Sequence, residues 1–294
     1  MIINKLIGKR TRKALLKHSS YYRRKKLLKR FARLGKNVDL DNPLSLTDKI
    51  CWLMVYGGQL RRKALLADKI AVHQYCKQKL GKDICVPILH MYESPDMIRL
   101  EELPEQFALK CNHGCKFNII VPNREELCLE EAQEQLRTWL DTPFGMETVE
   151  AHYLFIKPQC YAEQYIVDDT THSTIEYDFY CPNGRPTLLH IISGRLENDL
   201  HQGFYDMDFH PLDVRFASSD NQPQEYAKPA HFDLMKEYAA KLSADLPFAR
   251  IDFYEANDEV YLGEITLTPA AGNFGFSNRE TDLLLGSQIT ISLS

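Results

Sequence analysis

The chain has 294 residues, 44% hydrophobic and 26% charged, which describes a soluble globular protein with room for one large core or for two or three lobes. No apolar run approaches the ~20 residues of a membrane-spanning helix, and charges recurring from Lys5 onward exclude a secretory signal and point to the cytoplasm. The net charge of −4 hides an asymmetry, because residues 1–36 hold fourteen Lys or Arg and no Asp or Glu, leaving about −18 on the remainder.

The basic segment reads as one or two helices, with Leu15, Leu16, Leu27, Leu28 and Phe31 at helical spacing. Three roles compete for it: an arm packed on the acidic body, a support on an anionic membrane surface, and a grip on an anionic polymer. Nucleic acid ranks last, since no base-reading motif accompanies the charge. Residues 37–47 form a linker, with Ser45 or Thr47 as a helix cap, and helices are expected over 47–56 and 61–80, the second stopped by Gly81.

Val86-Pro87-Ile88-Leu89 suggests a short buried strand, and Phe107-Ala108-Leu109-Lys110-Cys111 a strand entering an Asn112-His113-Gly114 loop. A lysine on an apolar strand that runs into a glycine-containing loop suits phosphate binding, because glycine lets backbone N–H groups approach an anion. Ile119-Ile120-Val121 returns as a strand and 124–141 is an amphipathic helix. Further strands are expected at 161–166, 174–181, 187–194 and 202–206, with Pro182-Asn183-Gly184 as a hairpin turn and a helix at 231–245. The eight cysteines contain no Cys-x-x-Cys pair, so reduced and mostly buried thiols are expected, although Cys111, His113 and Cys115 offer three metal-ligand types on one loop.

Near the C-terminus, Arg250-Ile251-Asp252-Phe253 precedes Glu264-Ile265-Thr266-Leu267-Thr268-Pro269. Alternation points Arg250 and Asp252 to one face of a strand, and Glu264 and Thr266 to one face of the next. With Asn257-Asp258-Glu259 as a three-residue loop the two acids pair; with a two-residue Asn257-Asp258 turn they fall on opposite faces. In the first case they form a seat for Mg²⁺, which takes one or two carboxylates plus substrate phosphates; in the second they are surface acids.

The ordered set Asn42-Pro43-Leu44-Ser45-Leu46-Thr47-Asp48-Lys49-Ile50, Leu66-Ala67-Asp68-Lys69-Ile70-Ala71-Val72, Phe107 to Gly114, Ala162-Glu163-Gln164-Tyr165, Phe204-Tyr205-Asp206, Arg250-Ile251-Asp252 and Gly263 to Pro269 resembles the TupA-like ATP-grasp group of surface-polymer biosynthesis. That resemblance implies an α+β ATP-grasp fold, with two α+β lobes clamping ATP. The division would be a basic arm over 1–40, a mainly helical lobe over 41–100, a small lobe over 101–165 and a large lobe with the metal over 166–294.

By resemblance, Lys69, Lys110, Asn112, His113, Gly114, Lys116, Glu163, Gln164, Tyr165 and Ile166 would meet the nucleotide. Asp252, Glu264 and Thr266 would hold Mg²⁺ (Mn²⁺ as the alternative), while Arg250 and Lys110 would act on the transferring phosphoryl group. Arg195, His201 and Asp206 are the acceptor-side candidates. The implied activity is ATP-dependent carboxylate–amine ligation through an acyl-phosphate, joining an amino acid or amine to a uronic acid of a bacterial surface polysaccharide, with the arm on the inner face of the membrane. A glycosyltransferase and a non-catalytic nucleotide binder are the alternatives.

The chain departs from the family pattern at Cys115-Lys116, at Asp178 where a lysine is usual, at His73, and at Ala270-Ala271-Gly272. An anion at 178 is expected to weaken nucleotide binding if it faces the site.

Overall fold

The computed structural model describes residues 8–168, 173–195, 199–216, 223–273 and 275–292. The basic segment forms α1 (Lys9–His18) and α2 (Ser20–Arg33), joined at Ser19, whose hydroxyl accepts the Tyr22 N–H at 3.2 Å. Leu16, Leu27 and Phe31 are buried. Arg23 is buried as well, and its guanidinium donates to Val55 O at 2.7 and 3.0 Å and to Leu16 O at 3.0 Å. It satisfies carbonyls at the ends of two helices, so the arm is packed onto the body while its opposite face stays cationic.

The next helix, α3 (Leu46–Val55), starts in a capping box between Ser45 and Asp48. Where one helix was expected over 61–80 there are two, α4 (Leu60–Ala67) and α5 (Val72–Leu80). Asp68 causes the break: its Oδ1 accepts from the backbone of Ile70 at 3.0 Å and Ala71 at 3.3 Å, and from Asn112 Nδ2 at 2.9 Å. A side chain that takes over backbone donors competes with the helix, and the break turns Lys69 toward the interior. Gly81 ends α5 in the left-handed conformation, φ 75°.

A four-stranded antiparallel sheet contains β1 (Ile88–Tyr92), β2 (Phe107–Cys111), β3 (Asn118–Val121) and β4 (Cys160–Gln164), in the order β1-β4-β2-β3. The strand expected from Val86 onward starts two residues later. It is an edge strand with Leu89 and Met91 exposed, not a buried one. α6 (Leu129–Leu140) covers one face through Leu136, against Phe107 and Leu109; the expected helix from 124 begins with a separate 3₁₀ turn at Arg124–Glu126.

The larger sheet has β5 (Glu176–Pro182), β6 (Leu188–Ser193), β7 (His201–Tyr205), β8 (Pro211–Leu212), β9 (Phe248–Ala256) and β10 (Glu259–Thr266), in the order β10-β9-β5-β6-β7-β8. Alternation sends Tyr177, Phe179, Ile251 and Phe253 into a core shared with α5 and α7 (Phe232–Ser243). The opposite face presents Glu176, Asp178, Tyr180, Arg250 and Asp252. At one end it is covered by α2, α3 and α8 (Arg279–Ser287), whose Phe31, Ile50 and Leu285 share a core with Tyr180 and Phe248. The polar remainder looks across a cleft to the small sheet, where Lys110 and Glu163 line the same cavity as Glu176 and Tyr254.

Candidate functional site

The β9–β10 hairpin turns on two residues, Asn257 (φ 52°) and Asp258 (φ 64°), with Ala256 opposite Glu259. The three-residue loop required for pairing the acids is therefore absent, yet Glu264 lies opposite Asp252. The register shifts between Leu262 and Glu264, where Gly263 is an extra residue in β10. A bulge adds one residue to one strand and reverses the facing of everything beyond it. A Cβ at Gly263 would stand 2.7 Å from Tyr254 Cε2 and 3.3 Å from Asp252 O, so the bulge is tightest with glycine.

Past the bulge, Thr266 Oγ1 lies 3.0 Å from Asp252 Oδ2 and 2.8 Å from Glu264 Oε1. Arg250 grips Asp252 with two bonds, Nε to Oδ1 and Nη2 to Oδ2, both 2.7 Å. Lys69, freed by the break between α4 and α5, reaches Glu264 Oε2 at 2.8 Å and donates to Gly114 O at 3.1 Å. Asp178, only 1% exposed, faces Asp252 across the β5–β9 pair with its Oδ2 3.4 Å from Arg250 Nε and 3.6 Å from His190 Nδ1.

Burial pushes the Glu264 carboxyl up, but the charge and hydrogen bond of Lys69, then Arg250 and Thr266, bring it down to about 2. Burial depresses Lys69, and Glu264 more than offsets it, leaving the ammonium above the ordinary lysine range. Asp252 stays well above the usual carboxylate range because it is buried and faces Asp178 and Glu264, which together outweigh Arg250. For Asp178, burial is overcome by Arg250 and His190, and its carboxyl lies below the ordinary value.

This donor set fits a hard dication. Thr266 has one proton for two carboxylate oxygens, so a hydroxyl and two carboxylates surround one point with unspent acceptor capacity. Asp178, whose carboxylate oxygens have no hydrogen-bond partner among the described residues, adds negative charge behind them.

Beside this cluster a cavity lies between the two sheets. Lys110, Glu163, Gln164, Tyr165 and Ile166 all line it, with Tyr254 from the large sheet. Lys110 and Glu163 form a salt bridge across β2 and β4. Apolar walls with a few convergent polar groups characterise a small-molecule site.

Of the other sequence-derived candidates, Arg195 lines this cavity, and Asn112, His113, Gly114, Lys116, His201 and Asp206 do not. Asn112 and His113 are buried and structural: Asn112 Nδ2 donates to Asp68 and to Lys157 O at 3.1 Å, and His113 Nε2 lies 3.1 Å from Trp139 O. Gly114 is packed so that a Cβ would meet the Phe117 ring at 2.6 Å, and it presents its carbonyl to Lys69. Cys115 and Lys116 are exposed, Lys116 with φ 62°. Cys111, His113 and Cys115 do not gather as metal ligands among the described residues.

Arg195 lines the cavity and pairs with Glu176 at 2.9 Å. His201 instead pairs with Asp199 at 3.0 Å. Asp206 closes its own surface turn, accepting from the backbone of Asp208 at 2.9 Å and His210 at 2.8 Å. Neither lines a described cavity beside Arg250.

Sequence reasoning missed Asp68, which sets Lys69, and Glu150, a buried carboxylate accepting from Thr268 at 2.6 Å behind Glu264. It left open whether Asp178 faces the site; the residue lies beneath Arg250 as its second counter-ion. Asp68 stands where α4 and α5 meet, and an Asp followed by Lys inside an apolar-periodic stretch was the available signal for the break. Among the remaining departures, His73 pairs with Asp83 at 2.9 Å. Ala270 (φ 48°) and Ala271 (φ 52°) are left-handed without being glycine, and strain of about 1 kcal/mol or more at each is held by Arg30 donating to Ala271 O at 2.7 Å.

The TupA-like ATPgrasp family model matches residues 48–290. The chain belongs to that family. Its ATP-grasp α+β architecture follows, and the basic arm precedes the matched span. No curated protein matches the sequence significantly.

Similar solved structures include a D-alanine–D-alanine ligase from Helicobacter pylori, at 18% identity over 77% of this chain and 62% of that one, TM-score 0.40. Another is the ATP complex of the Bacillus anthracis D-alanine–D-alanine ligase, at 14% identity over 76% and 63%, TM-score 0.39. A third is a biotin carboxylase complex from Campylobacter jejuni, at 11% identity over 94% and 53%, TM-score 0.40. The chain thus spans less than two thirds of the length of each of these three proteins.

Proposed function

We propose that this protein is an ATP-dependent carboxylate–amine ligase. The observation that carries the proposal is the convergence of Asp252, Glu264 and Thr266 on one face, between Arg250 and Lys69 and beside the Lys110–Glu163 cavity. ATP would lie with its base by Glu163, Gln164, Tyr165 and Ile166 and its phosphates toward Lys110 and Lys69. Asp252, Glu264 and Thr266 would hold Mg²⁺, or Mn²⁺ in its place, which when bound neutralises phosphate charge.

Phosphoryl transfer depends on positioned cations that meet developing charge. An acceptor carboxylate oxygen attacks the γ-phosphorus, ADP leaves, and an acyl-phosphate forms. An amine nitrogen then attacks the acyl carbon, phosphate leaves, and an amide remains. Arg250, fixed by Asp252 and Asp178, would steady the phosphoryl group and the acyl-phosphate. Lys69 tethers the Gly114 loop to Glu264, which supports closure over the triphosphate and exclusion of water.

Membership of the family supports a uronic acid of a bacterial surface polysaccharide as the carboxylate and an amino acid or amine as its partner. The cationic outer face of α1 and α2 supports contact with an anionic membrane. Among the described residues no helix is long and apolar enough to cross a bilayer. The site also favours a nucleoside triphosphate over a sugar nucleotide, because separated lysines feed one acidic pair, which argues against a glycosyltransferase. An ADP-release assay with Mg²⁺, pairing amino acids with uronic acids, tests the ligase. ADP release abolished by Asp252→Ala is expected; ATP binding without ADP release across the acceptor panel would leave a nucleotide-binding protein, and consumption of a sugar nucleotide would point to the transferase.

A further inference from the structure

Two cavities lie on the arm side of Arg250. The first is bounded by Arg250, Arg195 and Lys36, with His190 and Gln202 hydrogen-bonded to each other at 2.9 Å along its wall. The second is walled by Lys26, Lys29, Arg30 and Arg33 of α2, with Glu147 as the one acid lining it among the described residues. Asn273 lines both. Its Oδ1 is buried and has no hydrogen-bond partner among the described residues.

Positions 26, 29, 30 and 33 share one helical face, where like charges repel. Lys26, Lys29 and Arg33 have no carboxylate partner among the described residues, whereas Arg24 on the next stripe is paired with Asp41 at 2.7 Å. Lys26, Lys29 and Arg33, around a concavity with a single acid, attract an anion of more than one charge, and guanidinium and ammonium donors suit phosphate oxygens. The first cavity suits a single carboxylate next to the phosphoryl-transfer residues. Between the two, a buried acceptor oxygen waits for a hydroxyl or amide donor.

We propose that the acceptor is a glycosyl phosphate or diphosphate bearing a carboxylate. The carboxylate lies by Arg250, Arg195 and Lys36, a sugar hydroxyl donates to Asn273 Oδ1, and the phosphate sits among Lys26, Lys29 and Arg33. The phosphate ester stays intact throughout; it is a handle, and only the carboxylate is activated. The inference rests on the ligase reading and assigns the arm, which precedes the span shared with the family, a part in acceptor recognition. Arg30 meanwhile lines the second cavity and donates to Ala271 O, next to Ala270 of the first. A nucleotide-linked and a polyprenyl-linked sugar present the same chemistry.

The test compares glucuronic acid, glucuronic acid 1-phosphate, UDP-glucuronic acid and polyprenyl-diphosphate glucuronic acid in ADP release, using wild type and the Lys29→Ala/Arg33→Ala double variant. Both substituted side chains are on the exposed side of α2, so the fold should survive. Wild type is expected to prefer a phosphorylated acceptor at least about tenfold in kcat/KM, and the variant to lose that preference, the scale of one or two charge-assisted contacts. The arm that is fastest identifies the nucleotide or lipid source.

Equal rates with and without phosphate in wild type, or a preference the variant retains, would overturn the proposal. If wild type releases no ADP with any acceptor, the ligase reading fails. The phosphate site is then judged by titration calorimetry with glucuronic acid 1-phosphate: binding lost in the variant supports it, and no binding by wild type removes it.

Discussion

Replacing Glu264 by Gln removes the charge that Lys69 was broken out of its helix to meet. The carboxyl drops from its ordinary 4.5 to about 2 on folding. At about 1.4 kcal/mol per pH unit this corresponds to about 3 kcal/mol of stability, trimmed to about 2–3 kcal/mol by partial solvent exposure of the side chain. The sign follows from the depressed folded-state value: the contribution is complete above the unfolded-state carboxyl range and is lost as pH falls toward about 2. Wild type should therefore exceed Glu264→Gln by about 2–3 kcal/mol at about pH 6, and that gap should shrink by more than half by about pH 3. Urea unfolding of both proteins across this range measures it. A gap that stays constant from about pH 6 to about pH 3 would refute the ion pair as the origin of the shift.

Deleting Gly263 shortens β10 by its bulge residue while keeping the Asn257–Asp258 turn, so Glu264 stays opposite Asp252 by plain alternation. A folded deletion variant should retain acceptor-dependent ADP release, and a folded but inactive one would show that the register was misjudged. Arg23→Ala leaves the Val55 and Leu16 carbonyls without their buried donor and is expected to cost about 3 kcal/mol. Urea unfolding tests this, with early proteolysis of residues before 36 as the accompanying sign; stability within about 0.5 kcal/mol of wild type would mean that the arm is not anchored by this residue.

Much of the scaffold was readable from local pattern. Alternation put Arg250 and Asp252 on one strand face, and the structure adds Asp178 to that face while Phe179, Ile251 and Phe253 enter the core on the other. The strand with Lys110 and the segment Glu163 to Ile166 were found in order, and the cavity joins them. Errors arose where one side chain overrode a periodic stretch. Asp68 interrupted the expected helix over 61–80, and β1, which pairs with β4 alone, is an edge strand with Leu89 and Met91 exposed. His201 and Asp206 were chosen for polarity in a hairpin-rich region, and polarity does not say which way a loop residue faces.

The sequence by itself determined which residues share a strand face, because side-chain direction follows a two-residue period that needs no knowledge of neighbours. It also determined the charge division between arm and body. Only the tertiary structure decided that Glu264 meets Asp252, since a single extra residue at Gly263 reverses that outcome without altering composition or periodicity. The same is true of Lys69 against Glu264 and of Asp178 beneath Arg250. Such pairs are made by segments distant in the chain, and packing of the two sheets and their helices, not local preference, brings them together.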